Sequence, residues 1–369
     1  MSSPRLRVAL DATSLLGPLT GVGVFTSALL HHLPSDIDVV AYATSWRGRG
    51  RLSAQLPTHV TASTRPQAAR PLREIWRRAN WPPIELWTGP VDVVHGTNFV
   101  VPPTRAGSVV SVHDLTFHHH PEMCTAPTLQ YPSLIRRAIA RGAWVHTDSQ
   151  FVADEVVEVY GAAPERVVAV PLGVHPPVHA DAAEGHRIAG GDRYVVAVGT
   201  VEPRKDLPLL VEAFDELAAT DPELRLVHAG PDGWGADAFT ERIDRSPHRD
   251  RIVRLGWVDD ATRSALLHGA AVLAYPSRYE GFGLPPLEAM SVGTPVVATA
   301  VGSLPEVLGD AAILVPPSDA SALAEALALV IDDVAERARL VRLGIARATH
   351  HRWDRCAAGM VALYRRAAA

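Results

Sequence analysis

At 369 residues the chain is long enough for two domains that each bury a core. Its 47% apolar and 20% charged residues match an ordinary globular composition, and a formal net charge of −5 gives no whole-chain case for nucleic acid as a partner. Two cysteines, Cys124 and Cys356, are too few for a disulfide framework or a thiolate metal site, and no run approaches eighteen apolar residues. A reducing cytosol is therefore the expected compartment. Of 35 basic residues, 34 are arginine and one, Lys205, is lysine. Codon bias accounts for such an excess, so the single lysine is either a chance survivor or a position that needs a compact ammonium rather than a planar guanidinium.

In chain order, residues 7–13 read as a first buried strand, followed by a glycine-bearing loop over 17–23 and a helix over 24–33, the usual opening of a doubly wound α/β domain. Apolar runs at 39–44, 91–95, 108–113, 144–148 and 167–170 continue the strand series, with helical spacing over 128–141 and 150–160. Such alternation predicts a parallel sheet covered on both faces. The stretch 70–87 stands apart, mixing Arg70, Arg73, Arg77 and Arg78 with Leu72, Ile75, Trp76, Trp81 and Trp87. Two readings fit it: an insertion with packed aromatics and solvated arginines, or a peripheral contact with an anionic membrane face or lipid-linked substrate. The triplet His118, His119, His120 has no Glu-x-x-His or cysteine pair beside it, so no metal site is expected there.

Between Pro171 and Asp192 the pattern breaks into prolines, glycines and histidines, which sets the expected division: a first domain over 1–175, a linker over 176–192 and a second domain over 193–351. Strands are predicted at 194–199, 224–229, 252–256, 271–275, 295–299 and 313–315, with clear helices at 207–219 and 320–331. The amphipathic segment 352–369 reads as a helix that packs on the first domain. Sheets of this kind bind ligands outside the carboxyl ends of their strands, so a cleft between the two domains is the expected site.

Two loops of the second half carry chemistry. Gly199 to Leu207 leaves a strand and enters a helix; Pro203 stiffens the turn, Asp206 is placed to cap the helix, and Arg204 and Lys205 put two cations at a strand end. Adjacent cations repel unless an anion is bound, and a diphosphate leaving group needs that charge. Ser277 to Met290 is a second strand-to-helix turn. Gly281 and Gly283 admit close backbone approach, Pro285 and Pro286 suit a first helical turn, and the carboxylates of Glu280 and Glu288 suit uncharged hydroxyl groups of one bound molecule.

With both motifs in order, the chain resembles the retaining nucleotide-sugar glycosyltransferases of family 4, whose GT-B fold has two Rossmann-like doubly wound domains facing across a cleft. The resemblance spans nearly the whole chain. It is carried by Glu202-Pro-Arg-Lys205, Glu280-Gly-Phe-Gly-Leu-Pro with Glu288, Gly293-Thr-Pro-Val-Val-Ala298 and Gly302-Ser-Leu-Pro-Glu306. It implies that Arg204 and Lys205 hold a donor diphosphate and that Glu288 takes the ribose hydroxyls. Glu280, with the backbone around Gly281 and the N–H groups of Phe282, Gly283 and Leu284, would hold the sugar and phosphate, beside Gly199 of the other loop. Backbone near Val258, in Leu255-Gly-Trp-Val-Asp259, resembles the base-contacting loop. In the first half Gly21-Val-Gly23 resembles the loop under the donor phosphates, although family members often have arginine where this chain has Val24. His113 matches a family histidine near donor sugar and acceptor, which makes it a catalytic candidate and, with Asp114 beside it, an acceptor-binding one; by itself a strand-end histidine is a packing residue more often. Asn98 either contributes to an acceptor pocket or satisfies its own turn.

The expected activity is transfer of a hexosyl group, with retention, to a hydroxyl of a glycan or lipid-linked acceptor in cell-envelope or exopolysaccharide synthesis. Resemblance to the subset with similar Asp11, His-Gly-Thr and Val-His-Asp-Leu segments makes GDP-mannose the leading donor. The cation pair substitutes for a metal on the diphosphate, so no cofactor is expected. A nucleotide-sugar epimerase of the same fold, or a non-catalytic nucleotide-sugar sensor, are the alternatives.

Overall fold

The computed structural model describes residues 5–17, 19–45, 49–63, 65, 69–175 and 181–369. It divides into two compact units, residues 1–173 with 353–369 and residues 174–352. Unit 1 contains a sheet of seven strands: β1 (Leu6–Asp11), β2 (Ile37–Tyr42), β3 (Thr61–Ala62), β4 (Val93–Gly96), β5 (Gly107–Val112), β6 (Trp144–Thr147) and β7 (Val167–Ala169). Their order is β3-β2-β1-β4-β5-β6-β7 and every pairing is parallel. Runs such as Val8-Ala9-Leu10 and Val93-Val94 are completely buried, as strands covered on both faces must be. The two-residue β3, too short to show a period, is the strand that sequence patterning misses.

Unit 2 repeats the plan with six strands: β8 (Tyr194–Val198), β9 (Arg225–Ala229), β10 (Ile252–Arg254), β11 (Val272–Tyr275), β12 (Val296–Thr299) and β13 (Ile313–Val315), in the parallel order β10-β9-β8-β11-β12-β13. Its core packs Leu210 and Phe214 of the Leu207–Ala218 helix and Leu327 and Val330 of the Ala320–Asp332 helix on the sheet. In both sheets the chain runs to one side and then crosses back. Strands β1 and β4, and likewise β8 and β11, are thus neighbours at a topological switch point, where an open α/β sheet leaves a crevice for ligand.

Three local expectations need correction. The stretch expected to be linker contains a helix, Ala182–Ala189, which belongs to unit 2; residues 176–180 lie outside the described part. Gly185 hid this helix, because glycine weakens a helix interior, yet here a Cβ would lie 2.2 Å from the carbonyl oxygen of Ala265, so packing against the Asp260–Gly269 helix demands it. The first helix starts earlier than expected, at Gly21 and not Val24, so Gly21 and Gly23 form its first turn, not a loop. Asp206 does not cap the helix that follows it; its backbone is left-handed, φ 46°, and its carboxylate takes Arg278 instead.

The 70–87 stretch is divided in character. Leu72 and Trp76 are buried, with the Trp76 indole N–H donating to the Pro82 carbonyl at 3.0 Å, while Trp81 is 65% exposed. Arg77 and Arg78 both reach Glu74, at 2.9 and 2.6 Å; the side chains of Arg70 and Arg73 lie outside the described part. No helix among the described residues is long and apolar enough to cross a membrane. The last helix, Trp353–Ala368, belongs to unit 1 and buries Cys356, Met360, Leu363 and Tyr364.

Candidate active site

In unit 2 the loops after β8 and β11 meet at the switch point. Arg204 and Lys205 lie on a short turn, Pro203–Lys205, and converge on the carboxylate of Glu280: Arg204 reaches Oε2 at 2.6 Å and Lys205 Nζ reaches Oε1 at 2.6 Å. Lys205 also donates to the Tyr275 hydroxyl at 2.5 Å and sits 4.5 Å from the centre of that ring. Ser277 donates to Glu280 Oε1 at 2.7 Å, and Ser303 donates to the Glu280 carbonyl through both N–H and hydroxyl, at 3.0 and 3.1 Å. That last clasp requires Gly302, where φ is 54° and a Cβ would lie 2.2 Å from the same carbonyl oxygen. The Arg278 N–H bonds the Arg204 carbonyl at 2.7 Å and its guanidinium bonds Asp206 at 2.7 Å, tying the two loops together.

Burial works to raise the Glu280 pKa, but the charges of Arg204 and Lys205 more than offset it and hold the carboxyl at about 2. Burial lowers the Lys205 ammonium against the pull of Glu280 and raises the Tyr275 phenol. The two cations, expected to await a bound anion, thus already share one from the protein. Without it Arg204 would keep Glu202, 3.1 Å away, but the Lys205 ammonium would lose its carboxylate in a mostly buried site, which is costly.

Glu288 lies in the Leu284–Ser291 helix, its carboxyl raised by burial and opposed by Arg263, whose guanidinium is 3.4 Å away. Arg263 stands in the Asp260–Gly269 helix, which Asp259 caps by accepting from the Thr262 N–H at 2.8 Å. Val258 is in the loop just before it, so the candidate base and ribose contacts are linked through Arg263. Phe282 is buried with its ring against His351, Gly281 and Gly283 flank it, and Leu284 begins the helix. Pro285 and Pro286 carry no N–H, which limits the open amides at this helix start. Gly199 follows β8, its carbonyl accepting from His228 at 2.9 Å.

Unit 1 holds the other candidates. His113, just after β5, has both ring nitrogens committed: Nδ1 to Asp148 Oδ2 at 2.8 Å and Nε2 to the Thr97 carbonyl at 2.7 Å. Both partners are acceptors, so both nitrogens carry hydrogen and the ring is an imidazolium. Burial lowers its pKa, but Asp148 more than reverses this and the net shift is upward. Asp114 accepts from the Thr116 N–H at 3.0 Å and so serves its own turn.

Behind His113 runs a chain the sequence reading did not anticipate. His95 meets the Tyr364 hydroxyl at 2.7 Å and Ser111 at 2.8 Å; Ser111 meets His146 at 2.8 Å; His146 meets the Val170 carbonyl at 3.2 Å. Burial pushes His95 well down and His146 to about 4, so both are neutral. One set of proton positions satisfies every group: Tyr364 donates to His95, His95 to Ser111, Ser111 to His146, and His146 to the carbonyl. The signal was present as polar residues inside apolar strands, but the partners lie on β4, β5, β6 and the last helix.

Replacing Asp148 with asparagine should drop the His113 pKa below its ordinary value, as followed by the His113 ring proton in NMR titration. The wild-type contribution of a raised histidine is complete below about pH 6.5 and is lost as pH rises through the folded value, so the variant should be less stable at pH 6 by roughly 1–3 kcal/mol. An unchanged titration would refute the imidazolium assignment.

At the carboxyl ends of β1, β2 and β4 there is a cavity of about 100 Å³ lined by Asp11, Thr13, Ser14, Thr44, Trp76, Thr97, Asn98, Val100 and Pro102. Asn98 therefore does face a pocket of unit 1. Among the described residues no group of three or more histidine, cysteine or acidic side chains is placed to hold a metal ion; His119 and His120 pair with separate carboxylates, Glu155 and Glu122.

The family model described as Glycosyltransferase Family 4 matches residues 19–176, and that described as Glycosyl transferases group 1 matches residues 180–347. The O-antigen chain mannosyltransferase B of Escherichia coli is 27% identical over 94% of this chain and 96% of that protein. The D-inositol 3-phosphate glycosyltransferase of Kribbella flavida is 35% identical, over 60% of this chain and 55% of that protein. Among solved structures, sucrose-phosphate synthase from Thermosynechococcus elongatus is similar with a TM-score of 0.75 at 19% identity, over 98% of this chain and 99% of that one. With one family model on each unit and a shared two-Rossmann GT-B fold, the chain belongs to the family 4 glycosyltransferases.

Proposed function

We propose that the protein transfers a mannosyl group from GDP-mannose, with retention, to a hydroxyl of a glycan or glycolipid acceptor in cell-envelope or exopolysaccharide synthesis. The observation that carries a diphosphate-sugar donor is the convergence of Arg204 and Lys205 at the unit 2 switch point. Two cations held in a mostly buried site stabilise a departing diphosphate more than the same charges in water would. They supply the charge that a divalent ion would otherwise provide, so the reaction is proposed to run without metal. Glu288 would accept from the ribose hydroxyls and backbone near Val258 would meet the base. The name of the Escherichia coli relative supports mannose.

Retention follows if the acceptor oxygen bonds the anomeric carbon on the face from which the diphosphate departs, breaking the carbon–oxygen bond while the acceptor proton passes to the leaving phosphate. Glu280 is a poor nucleophile for the alternative, a covalent intermediate, because its carboxylate is bound to two cations and is weakly basic. A role as holder of sugar hydroxyls and of the cation pair fits it better. His113, tied at both nitrogens, is read as a positioning residue that fixes the Thr97 carbonyl; direct contact with a sugar would require one bond to break.

The test is a donor panel scored by nucleotide release, with GDP-mannose, UDP-glucose and UDP-N-acetylglucosamine, with and without EDTA, and with the product anomer read by NMR. Release from GDP-mannose at least about tenfold above the others, an α-product and indifference to EDTA are expected. Preferential UDP release would replace the donor. A changed sugar without nucleotide release would favour an epimerase, and binding without turnover a sensor.

A further inference from the structure

Lys205 is bracketed by a single residue of the neighbouring loop. Arg278 donates its backbone N–H to the Arg204 carbonyl at 2.7 Å, one position before Lys205, and its guanidinium Nε donates to Asp206 Oδ2 at 2.7 Å, one position after. Arg204 returns the contact, with Nη1 donating to the Tyr279 carbonyl at 3.2 Å. Neither bond of Arg278 uses the Glu280 carboxylate or the charge of Arg204 or Lys205, so both remain when those cations turn from Glu280 to another anion. Aspartate at 206 is not what the backbone alone would favour. Its φ of 46° and ψ of 43° are left-handed, a conformation that glycine takes more freely than any residue with a Cβ. It makes no capping bond to the Leu207–Ala218 helix, and its carbonyl, which accepts from Leu209 and Leu210, would do so in any residue. What aspartate adds is a carboxylate, only 10% exposed, that takes Arg278.

We propose that Arg278 and Asp206 are positioning residues for the transfer: by holding the backbone on both sides of Lys205 they keep its ammonium where the diphosphate departs. This rests on the reading of Lys205 as a contact to the leaving diphosphate. The effect of the pair runs through Lys205 and not through a contact of its own with the donor. It falls on turnover, because a charge contact to a developing leaving group loses its value steeply when the charge is misplaced. Glu280 and the Tyr275 hydroxyl hold the tip of the lysine, at 2.6 and 2.5 Å, and the latch through Arg278 holds its base.

The chain has a single lysine, so the full protein grown on lysine isotope-labelled at Cε shows one side-chain NMR signal of that kind, from Lys205. The Tyr275 ring, 4.5 Å from Nζ, displaces that signal from the free-lysine position. Asp206→Gly suits the left-handed backbone, and Arg278→Met keeps the N–H bond to Arg204 while removing the guanidinium; each should move the signal toward the free-lysine position. Asp206→Gly should unfold within about 4 °C of the parent, because relief of the backbone and the greater freedom of the unfolded chain oppose each other. In both variants kcat with the donor should fall about tenfold while KM changes less than about threefold. The double variant should be no worse than the more affected single one, since each change alone already opens the latch. A lysine signal unmoved in both variants, an unchanged kcat, or losses that multiply in the double variant overturns the proposal. So does a fall in kcat seen only where the unfolding temperature falls with it. If the parent releases nucleotide from no donor, the donor reading fails instead, while the lysine signal still decides whether the pair holds the ammonium.

Discussion

Lys205→Ala should lower turnover at least about a hundredfold, the loss expected when a charge contact to a developing leaving group is removed. The ammonium lies between the Tyr275 hydroxyl and Glu280, with the Tyr275 ring below it, so its position is fixed before any ligand arrives. Lys205→Met, which keeps most of the volume, separates lost charge from lost packing and should behave as the alanine variant does. Lys205→Arg is the sharper test. A planar guanidinium is broader than the ammonium that meets the ring, the Tyr275 hydroxyl and Glu280 from one point, and a loss of about tenfold or more is expected. Steady-state kcat and KM for the donor, with circular dichroism as the check on folding, decide it; near-normal turnover in the arginine variant would reduce the lone lysine to codon statistics.

Glu280→Ala should be the most destabilising single change in the site, by about 3–5 kcal/mol, since it takes the carboxylate from the buried Lys205 ammonium and leaves Arg204 beside it paired with Glu202. The same charges should then bind pyrophosphate more readily than in the unmodified protein. Pyrophosphate should therefore raise the unfolding temperature of the variant more than that of the parent, while turnover falls with the loss of the sugar contact proposed for Glu280. Acid provides a second reading. The Glu280 pKa is depressed from 4.5 to about 2 in the folded state, so its stabilisation is complete above about pH 4.5 and is lost as pH falls toward 2. The gap in stability between parent and variant should close across that window. A variant as stable as the parent at pH 7, with no larger response to pyrophosphate, would show that the carboxylate is not the counter-ion of the pair.

Much of the architecture was legible because buried parallel strands must be apolar throughout. Runs such as Val195 to Ala197 and Val296 to Ala298 have no polar residue to spare, and glycines and prolines punctuate the turns that follow. The boundaries were less legible. The Ala182–Ala189 helix was hidden by a glycine that only its packing against Ala265 explains, and Asp206, which has the sequence of a cap, was drawn away by Arg278 seventy-two positions later. The 70–87 stretch gave no unique answer, because arginines beside tryptophans look alike whether the tryptophan is buried, as Trp76 is, or exposed, as Trp81 is.

The sequence by itself determined the residue types and loops of the proposed donor side: two cations after one strand, two carboxylates around the turn after another, and a lone lysine among arginines. Local spacing was enough because each motif is a strand-to-helix turn whose residues sit within a few positions of one another. Which groups meet was decided by tertiary structure. The strand order places β8 beside β11 and so turns Glu280 from a spare carboxylate into the counter-ion of Arg204 and Lys205. It likewise gathers His95, Ser111, His146 and Tyr364 into one buried chain behind His113. No sequence period encodes either arrangement, since hydrogen bonds between residues up to 269 positions apart depend on which strands are neighbours and not on what stands next to each residue in the chain.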